Sequence, residues 1–427
     1  MLFGSSESIV KYFPVWSDNR KIQGDIILFI ISMSILSLIV FALVAFLWPD
    51  QLTKLFYGEI YGIEYLIILL ISIASEAYLI LISSILRSKN QILKSSFYKF
   101  SFNFLRAGIL IISISIFDFD FYKSLIIYST FILFYSIVLF FIESKNFNFM
   151  PFNFLKNIEN FMKILRFGLP TMISTFLIFF LIFFDRFILT RYLDSQALSS
   201  YILNSNIALN ASFIGTLVGF ALFPALSNNL NKNVHSEDIL IRYLLFFFGL
   251  AIPFIVMIYY FYPYFYYLYG SREFLIDRVT MTMLVIGYSL YGLFMILSYL
   301  IYVHKGSKFS VKVTFLGMII NVILNLLLVP IYGVSGAVIS LITSFLFIVI
   351  LTKYISNACV RWDFPWRSLT YILLRSLVLL IPLLMFESMM DNFFNTLIIF
   401  LIAMLLYLYI DFKGNISFLR GLIFEKE

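Results

Sequence analysis

Residues 181–193 read LIFFDRFILTRYL, with an acid and a base, Asp185 and Arg186, side by side inside an apolar run. An ion in hydrocarbon costs roughly 2.5–3.5 kcal/mol on insertion scales unless it is paired, solvated or near an edge. Other polar residues interrupt apolar runs elsewhere. Glu76 lies in ISIASEAYLILIS, Arg106 in FNFLRAGILII and Arg375 in YILLRSLVLLIP. Asn204, Asn206 and Asn210 share one stretch, and Asn321 and Asn325 share another, one helical turn apart on one face. Guanidinium, carboxylate and carboxamide groups bind anions, exchange protons and hydrogen-bond polar cargo. Intramembrane groups of this kind usually face a bundle interior or a water-filled cavity, so they point to a transporter with a polar path.

Enzyme chemistry has no matching pattern. There is no GxxxxGK[ST] phosphate loop, so ATP hydrolysis by this chain is not expected. The two histidines, His235 and His304, have no acidic or cysteine cluster at metal-ligand spacing, and no metal or cofactor is expected. Gly333-Val-Ser-Gly336 lacks the preceding strand and the nearby histidine of a nucleophile elbow and reads as a tight turn between helices. Gly215 and Gly219 form a GxxxG packing face. Asn210-Ala-Ser212 and Asn415-Ile-Ser417 match the glycosylation pattern but fall in a span and in the C-terminal tail. The single cysteine, Cys359, excludes an internal disulfide.

The elements that must position these residues follow from composition. The 427 residues are 62% hydrophobic and 12% charged, with mean hydropathy +0.99. Apolar runs near 20 residues recur from end to end, each long enough to cross a core of roughly 30 Å. They predict about twelve spans: 26–48, 64–86, 98–117, 124–143, 166–189, 197–227, 240–262, 279–303, 310–330, 334–355, 368–387 and 394–411. Strand-like alternation is absent, so the fold class is all-α, a polytopic helical bundle. With the N-terminus inside, cytoplasmic segments collect roughly 22 of the 30 basic residues, which places both termini in the cytoplasm. These loops account for the net charge of +7, and nucleic acid is not a partner.

Each polar residue has two readings. Glu76 and Arg106 either pair with each other structurally or serve a path. Asn321 and Asn325 either hold helices together or line a cavity. Arg375, near the start of its span, either snorkels to the cytoplasmic face or gates. The stretch YYFYPYFYYLYG at 259–270 reads as an interfacial aromatic belt that could also stack on sugars. Asp185 lies roughly 28 Å along its helix from Arg166, near the outer edge of the hydrocarbon. Adjacent residues point about 100° apart, so Asp185 is expected to face the bundle and Arg186 the outer interface.

LRFGLPTMISTFLIFFLIFFDRFILTRYLDSQALSSYIL resembles the seventh and eighth helices of the Wzx-like polysaccharide (O-antigen) flippases, a branch of the MATE-related MOP exporters. LSYLIYVHKGSKFSVKVTFLGMIIN is similar to their tenth helix and its basic loop. NVILNLLLVPIYGVSGAVISLITS is similar to their eleventh and twelfth helices. The resemblance implies two six-helix lobes followed by two extra helices. On that alignment residues 1–24 are the end of family helix two with its loop, and 25–160 form an N-terminal lobe of four helices. Residues 161–356 form the six-helix C-terminal lobe, and 357–427 the extra pair and a cytoplasmic tail. The first family helix and most of the second are not matched.

The resemblance further implies a carrier, not an enzyme, that moves undecaprenyl-diphosphate-linked oligosaccharides across the bacterial inner membrane. Its partners would be the lipid-linked oligosaccharide, the lipid bilayer, and a polysaccharide polymerase with glycosyltransferases. Arg106 is the first candidate for the diphosphate. Glu76, Asn206, Asn210, Asn321 and Asn325 are the other cavity candidates, and Asp185, Arg186 and Arg375 are candidates for gating or structure. Two further readings stand beside it: a cation-coupled multidrug exporter, against which the excess of intramembrane arginine over acid argues, and a non-transporting subunit of a polysaccharide-assembly complex.

Overall fold

The computed structural model of the chain describes residues 2, 4–16, 19–57, 62–144, 157–229, 236–265, 267, 271–358, 360–385 and 393–407. His235, Cys359, Asn415 and Ser417 lie outside the described residues. Among the described residues there are helices and no strand. In chain order the helices are α1 (Ser5–Tyr12), α2 (Arg20–Leu47), α3 (Pro49–Tyr57), α4 (Ile63–Ser88), α5 (Ile92–Ser115), α6 (Phe121–Ser144) and α7 (Ile158–Leu189). They continue as α8 (Ser195–Leu209), α9 (Ala211–Asn229), α10 (Ser236–Phe261), α11 (Arg278–His304), α12 (Lys308–Tyr332), α13 (Val334–Asn357), α14 (Trp366–Met385) and α15 (Phe393–Tyr407). Eleven segments among the described residues are long and apolar enough to cross a membrane, and α15 is a shorter apolar helix where the twelfth span was predicted. The protein is a polytopic all-α membrane protein. Large apolar side chains such as Phe104, Phe134, Phe176 and Leu405 are exposed on the helices, the outward face that hydrocarbon would solvate.

Two compact units divide the chain, Met1–Met172 and Ile173–Glu427. In the first, α4 is the central helix and packs against α1, α2, α5 and α6. Leu79, Ile82, Leu86, Phe102 and Tyr128 form one core cluster there, and Ile9, Phe13, Ile26, Phe29, Ile85 and Phe161 form another. In the second unit α11 is central and packs against α8, α9, α10 and α13. Tyr201, Tyr288, Leu284, Leu341 and Phe345 are fully or almost fully buried in its core.

Local sequence explains the helix boundaries. Asp194 caps α8 by accepting from Ala197 N–H at 2.7 Å, and Asp277 caps α11 by accepting from Val279 and Thr280 N–H at 3.0 and 3.1 Å. Helix α12 turns into α13 through Gly333, whose φ of 54° few side-chain-bearing residues adopt. A Cβ on Gly215 would lie 2.3 Å from Gly292 Cα, so the predicted packing glycine lets α9 and α11 touch backbone to backbone. Helices α5 and α7 begin at Ile92 and Ile158, earlier than the predicted 98 and 166, because a helix continues through polar turns that a hydropathy window excludes. The span predicted at 197–227 is present as one membrane-length segment, Ser195–Ser227, with a turn at Asn210 inside it. Asn210 donates through its amide to the carbonyls of Asn206 and Ile207, and its N–H bonds Ile207 O at 3.1 Å. That local bonding competes with the helical ladder and separates α8 from α9.

Lys11 of α1 lies outside the membrane-spanning helices, yet burial pushes its ammonium down from the usual 10.5 to about 8. Its Nζ stands 4.7 Å from the centre of the Phe167 ring, a contact that offsets only part of the desolvation. The unfolded chain therefore binds more protons than the folded one between about pH 8 and 10.5, and stability rises with pH across that window. Lys11→Met is expected to raise the thermal-aggregation temperature at pH 7. The gain should shrink as the pH passes 8 and be largely gone by 10.5, which a pH series in detergent would check.

Candidate functional site

In the first unit, the membrane-embedded charges lie on facing surfaces of α4 and α5. Glu76 of α4 and Arg106 of α5 form an ion pair with Oε2 to Nη1 at 3.7 Å. The Arg106 guanidinium lies 5.7 Å from the centre of the Tyr128 ring of α6. Both partners of the pair are open, with side chains 50% and 49% exposed. Toward the ends of the same helices, Arg87 pairs with Glu7 of α1 at 3.4 Å, and Lys94 pairs with Glu143 at 2.6 Å. Arg87 and Glu143 are buried and neutralised locally, whereas the Arg106 side chain is half exposed. A planar guanidinium presented this way can take an oxyanion by two parallel N–H bonds.

In the second unit, Asp185 and Arg186 diverge as helical geometry requires. Asp185 is 2% exposed and accepts a hydrogen bond from the hydroxyl of Tyr201, which is itself fully buried on α8. Its other oxygen is buried with no hydrogen-bond partner among the described residues. Next to it, the Tyr288 hydroxyl of α11 and Ser205 Oγ share a bond of 2.8 Å. Arg186 is half-buried, donates from Nη2 to Asn206 Oδ1 at 2.8 Å and lies 4.4 Å from the Phe183 ring centre. It is tied to α8, not simply extended to the outer interface. Asn206 is exposed beside it, while the Asn210 amide is occupied by its own helix.

The remaining candidates are placed apart. Asn321 and Asn325 are 1% and 0% exposed, and Asn325 Nδ2 donates to Asn321 O and Oδ1 at 3.0 Å each. They belong to one buried stripe of α12 that includes Val313, Thr314, Gly317 and Val329. Arg375 stands over the Tyr371 ring at 5.0 Å and beside the Tyr407 hydroxyl, which donates to Gly249 O. Among the described residues no cluster of three or more His, Cys, Asp and Glu could hold a metal ion.

Several partners are not evident from residue types alone. Tyr201 is the only tyrosine of α8 and falls inside the motif that follows the DRFIL segment, which is the one signal that points to it. Asn204 is fully buried, donates to Ser200 O and Phe274 O, and accepts from the Tyr262 hydroxyl at 2.8 Å. Asp25 is buried near the start of α2 and accepts from Asn157 Nδ2 at 2.6 Å. Its position in the first turns of a span hides it from a search for mid-span charges.

Residues 2–230 match the family model of polysaccharide biosynthesis proteins, and residues 170–327 match the MatE model. A mutant form of the Vibrio cholerae MATE transporter VcmN aligns with a TM-score of 0.70, at 16% identity over 84% of each chain. A MOP superfamily transporter from Pyrococcus furiosus gives 0.66, at 15% identity over 84% of this chain and 83% of the other. The lipid II flippase MurJ in an inward closed conformation gives 0.59, at 20% identity over 98% of this chain and 90% of the other. At these identities the structural likeness shows the fold alone. No curated protein matches the chain.

Proposed function

The chain belongs to the polysaccharide biosynthesis protein family, and from that premise we propose that it is a non-enzymatic carrier. It flips undecaprenyl-diphosphate-linked oligosaccharide repeat units across the bacterial inner membrane for polysaccharide or O-antigen assembly. The observation that carries this reading is the half-exposed Glu76–Arg106 pair inside two membrane spans. Two open charges facing lipid would cost several kcal/mol, whereas facing a water-filled path they cost little. Arg106 is then a cation offered to the diphosphate, with Glu76 beside it setting its geometry. Asn206, exposed and held by Arg186, would bond sugar hydroxyls in this reading. Both termini are cytoplasmic in this reading, following the basic loops.

The match to the MatE model over residues 170–327 supports a second reading, export of cationic drugs. One experiment separates the two. In cells deleted for their own polysaccharide flippase, expression of the full chain is expected to restore polymer and clear accumulated lipid-linked repeat units. A chain that inserts normally but leaves the intermediates in place overturns the proposal. Raised resistance to cationic drugs in the same cells, with no polymer, would establish the second reading instead. Restoration only beside another carrier would identify an assembly subunit.

A further inference from the structure

The turn between α13 and α14 carries a cleft that the transport reading does not use. It is lined by Tyr354, Asn357, Ala358, Arg361, Trp362 and Asp363. Its position, just past one membrane span and just before the next, sets it at the membrane–water boundary. The cleft is built. Trp362 is 4% exposed, and its indole N–H donates to Ser356 Oγ at 3.0 Å. Lys353 Nζ lies 5.2 Å from the Phe364 ring centre and 5.9 Å from those of Trp362 and Trp366, so this cation is spent on holding the turn. Phe364 in turn packs edge-on against Phe248 of α10.

The lining offers three polar functions at once. Arg361 is an exposed cation, and Asp363 is an exposed anion. Asn357 Oδ1 is a buried acceptor with no hydrogen-bond partner among the described residues. Beside them Tyr354 and Trp366 are 76% and 64% exposed, apolar surfaces of the type that sit among lipid headgroups. A purely anionic ligand would meet repulsion from Asp363. A ligand without N–H donors would leave Asn357 Oδ1 unanswered.

We propose that this cleft binds the headgroup of a zwitterionic phospholipid that carries a primary ammonium. The phosphodiester lies against Arg361, the ammonium donates to Asp363 and Asn357 Oδ1, and the acyl chains run down past Tyr354 and Trp366. A choline headgroup keeps the charges but has no N–H to donate, and a glycerol headgroup keeps only the anion. The inference requires that α13 and α14 span the bilayer and is independent of which cargo the protein moves.

Native mass spectrometry of the full chain released from detergent tests it, with dioleoyl lipids bearing ethanolamine, choline or glycerol headgroups at equal concentration. Wild type is expected to retain the ethanolamine lipid about threefold over the choline lipid, the size of one exposed charge-assisted contact. Asp363→Asn and Asn357→Ala should each lower that ratio, because each weakens one of the two contacts that only an N–H donor makes. Arg361→Gln should lower retention of both lipids and keep the ratio. Equal retention of the ethanolamine and choline lipids by wild type, preference for the glycerol lipid, or an unchanged ratio in Asp363→Asn would each overturn the proposal. Asp363 is exposed and its amide is isosteric, so that variant reads binding even where Asn357→Ala lowers stability.

Discussion

Alanine at position 106 is expected to leave a protein that inserts and folds normally but does not transport. Arg106 is half exposed and its ion pair with Glu76 is long, at 3.7 Å, so its loss removes a contact worth about 0–1 kcal/mol. The consequence for an anionic cargo is larger. A guanidinium from which the bound diphosphate displaces water contributes about 2–5 kcal/mol, which is about thirtyfold or more in binding. Arg106→Lys keeps the charge and loses the bidentate fork, so it is expected to retain part of the rate. The measurement is clearance of lipid-linked repeat units at matched membrane levels of each variant. Normal clearance by Arg106→Ala would remove the residue from the path. Equal loss in the Ala and Lys variants would mean that geometry, and not charge, is what the cargo requires.

Asp185→Ala is expected to reduce the amount of folded protein in the membrane, whereas Arg186→Ala leaves it nearly unchanged. Tyr201 is fully buried and donates its hydroxyl to Asp185. Removing the acceptor strands that hydroxyl in the core, a cost of about 1–3 kcal/mol. The reciprocal change, Tyr201→Phe, takes away the hydroxyl that donates to Asp185 and should cost a similar amount, with the double variant losing less than the sum. Arg186 bonds an exposed asparagine, and its removal returns Asn206 to water. Expression yield and thermal aggregation in detergent suffice, with no need for a substrate. Equal loss from Asp185→Ala and Arg186→Ala would show the two residues to be one buried ionic unit. Asp185→Asn preserves an acceptor for Tyr201, so loss of transport there at full stability would point to a role for the charge in coupling or gating.

Composition and periodicity alone determine that this chain is a polytopic all-α membrane protein, and they locate most of its spans. Transfer of each segment into hydrocarbon depends on that segment's own residues, so the information is local. The depth of Glu76, Arg106 and Asp185 along their helices is equally local, as is the divergence of Asp185 from Arg186, because the helix rise and the 100° step are constant. The resemblance carried by LRFGLP, DRFIL and the NVILN block is also legible, since it depends on residue order. Pairing is not local. Nothing in ISIASEAYLILIS or FNFLRAGILII states that Glu76 and Arg106 meet while both stay open, or that Asn321 and Asn325 lie on the packed stripe of α12. Asp185 finds Tyr201, Lys353 finds Trp362 and Phe364, and Gly215 finds Gly292 only because particular helix faces come together. Which faces meet is decided by how side-chain ridges of several helices fit at once, a property of the assembled bundle and of no single stretch of the chain.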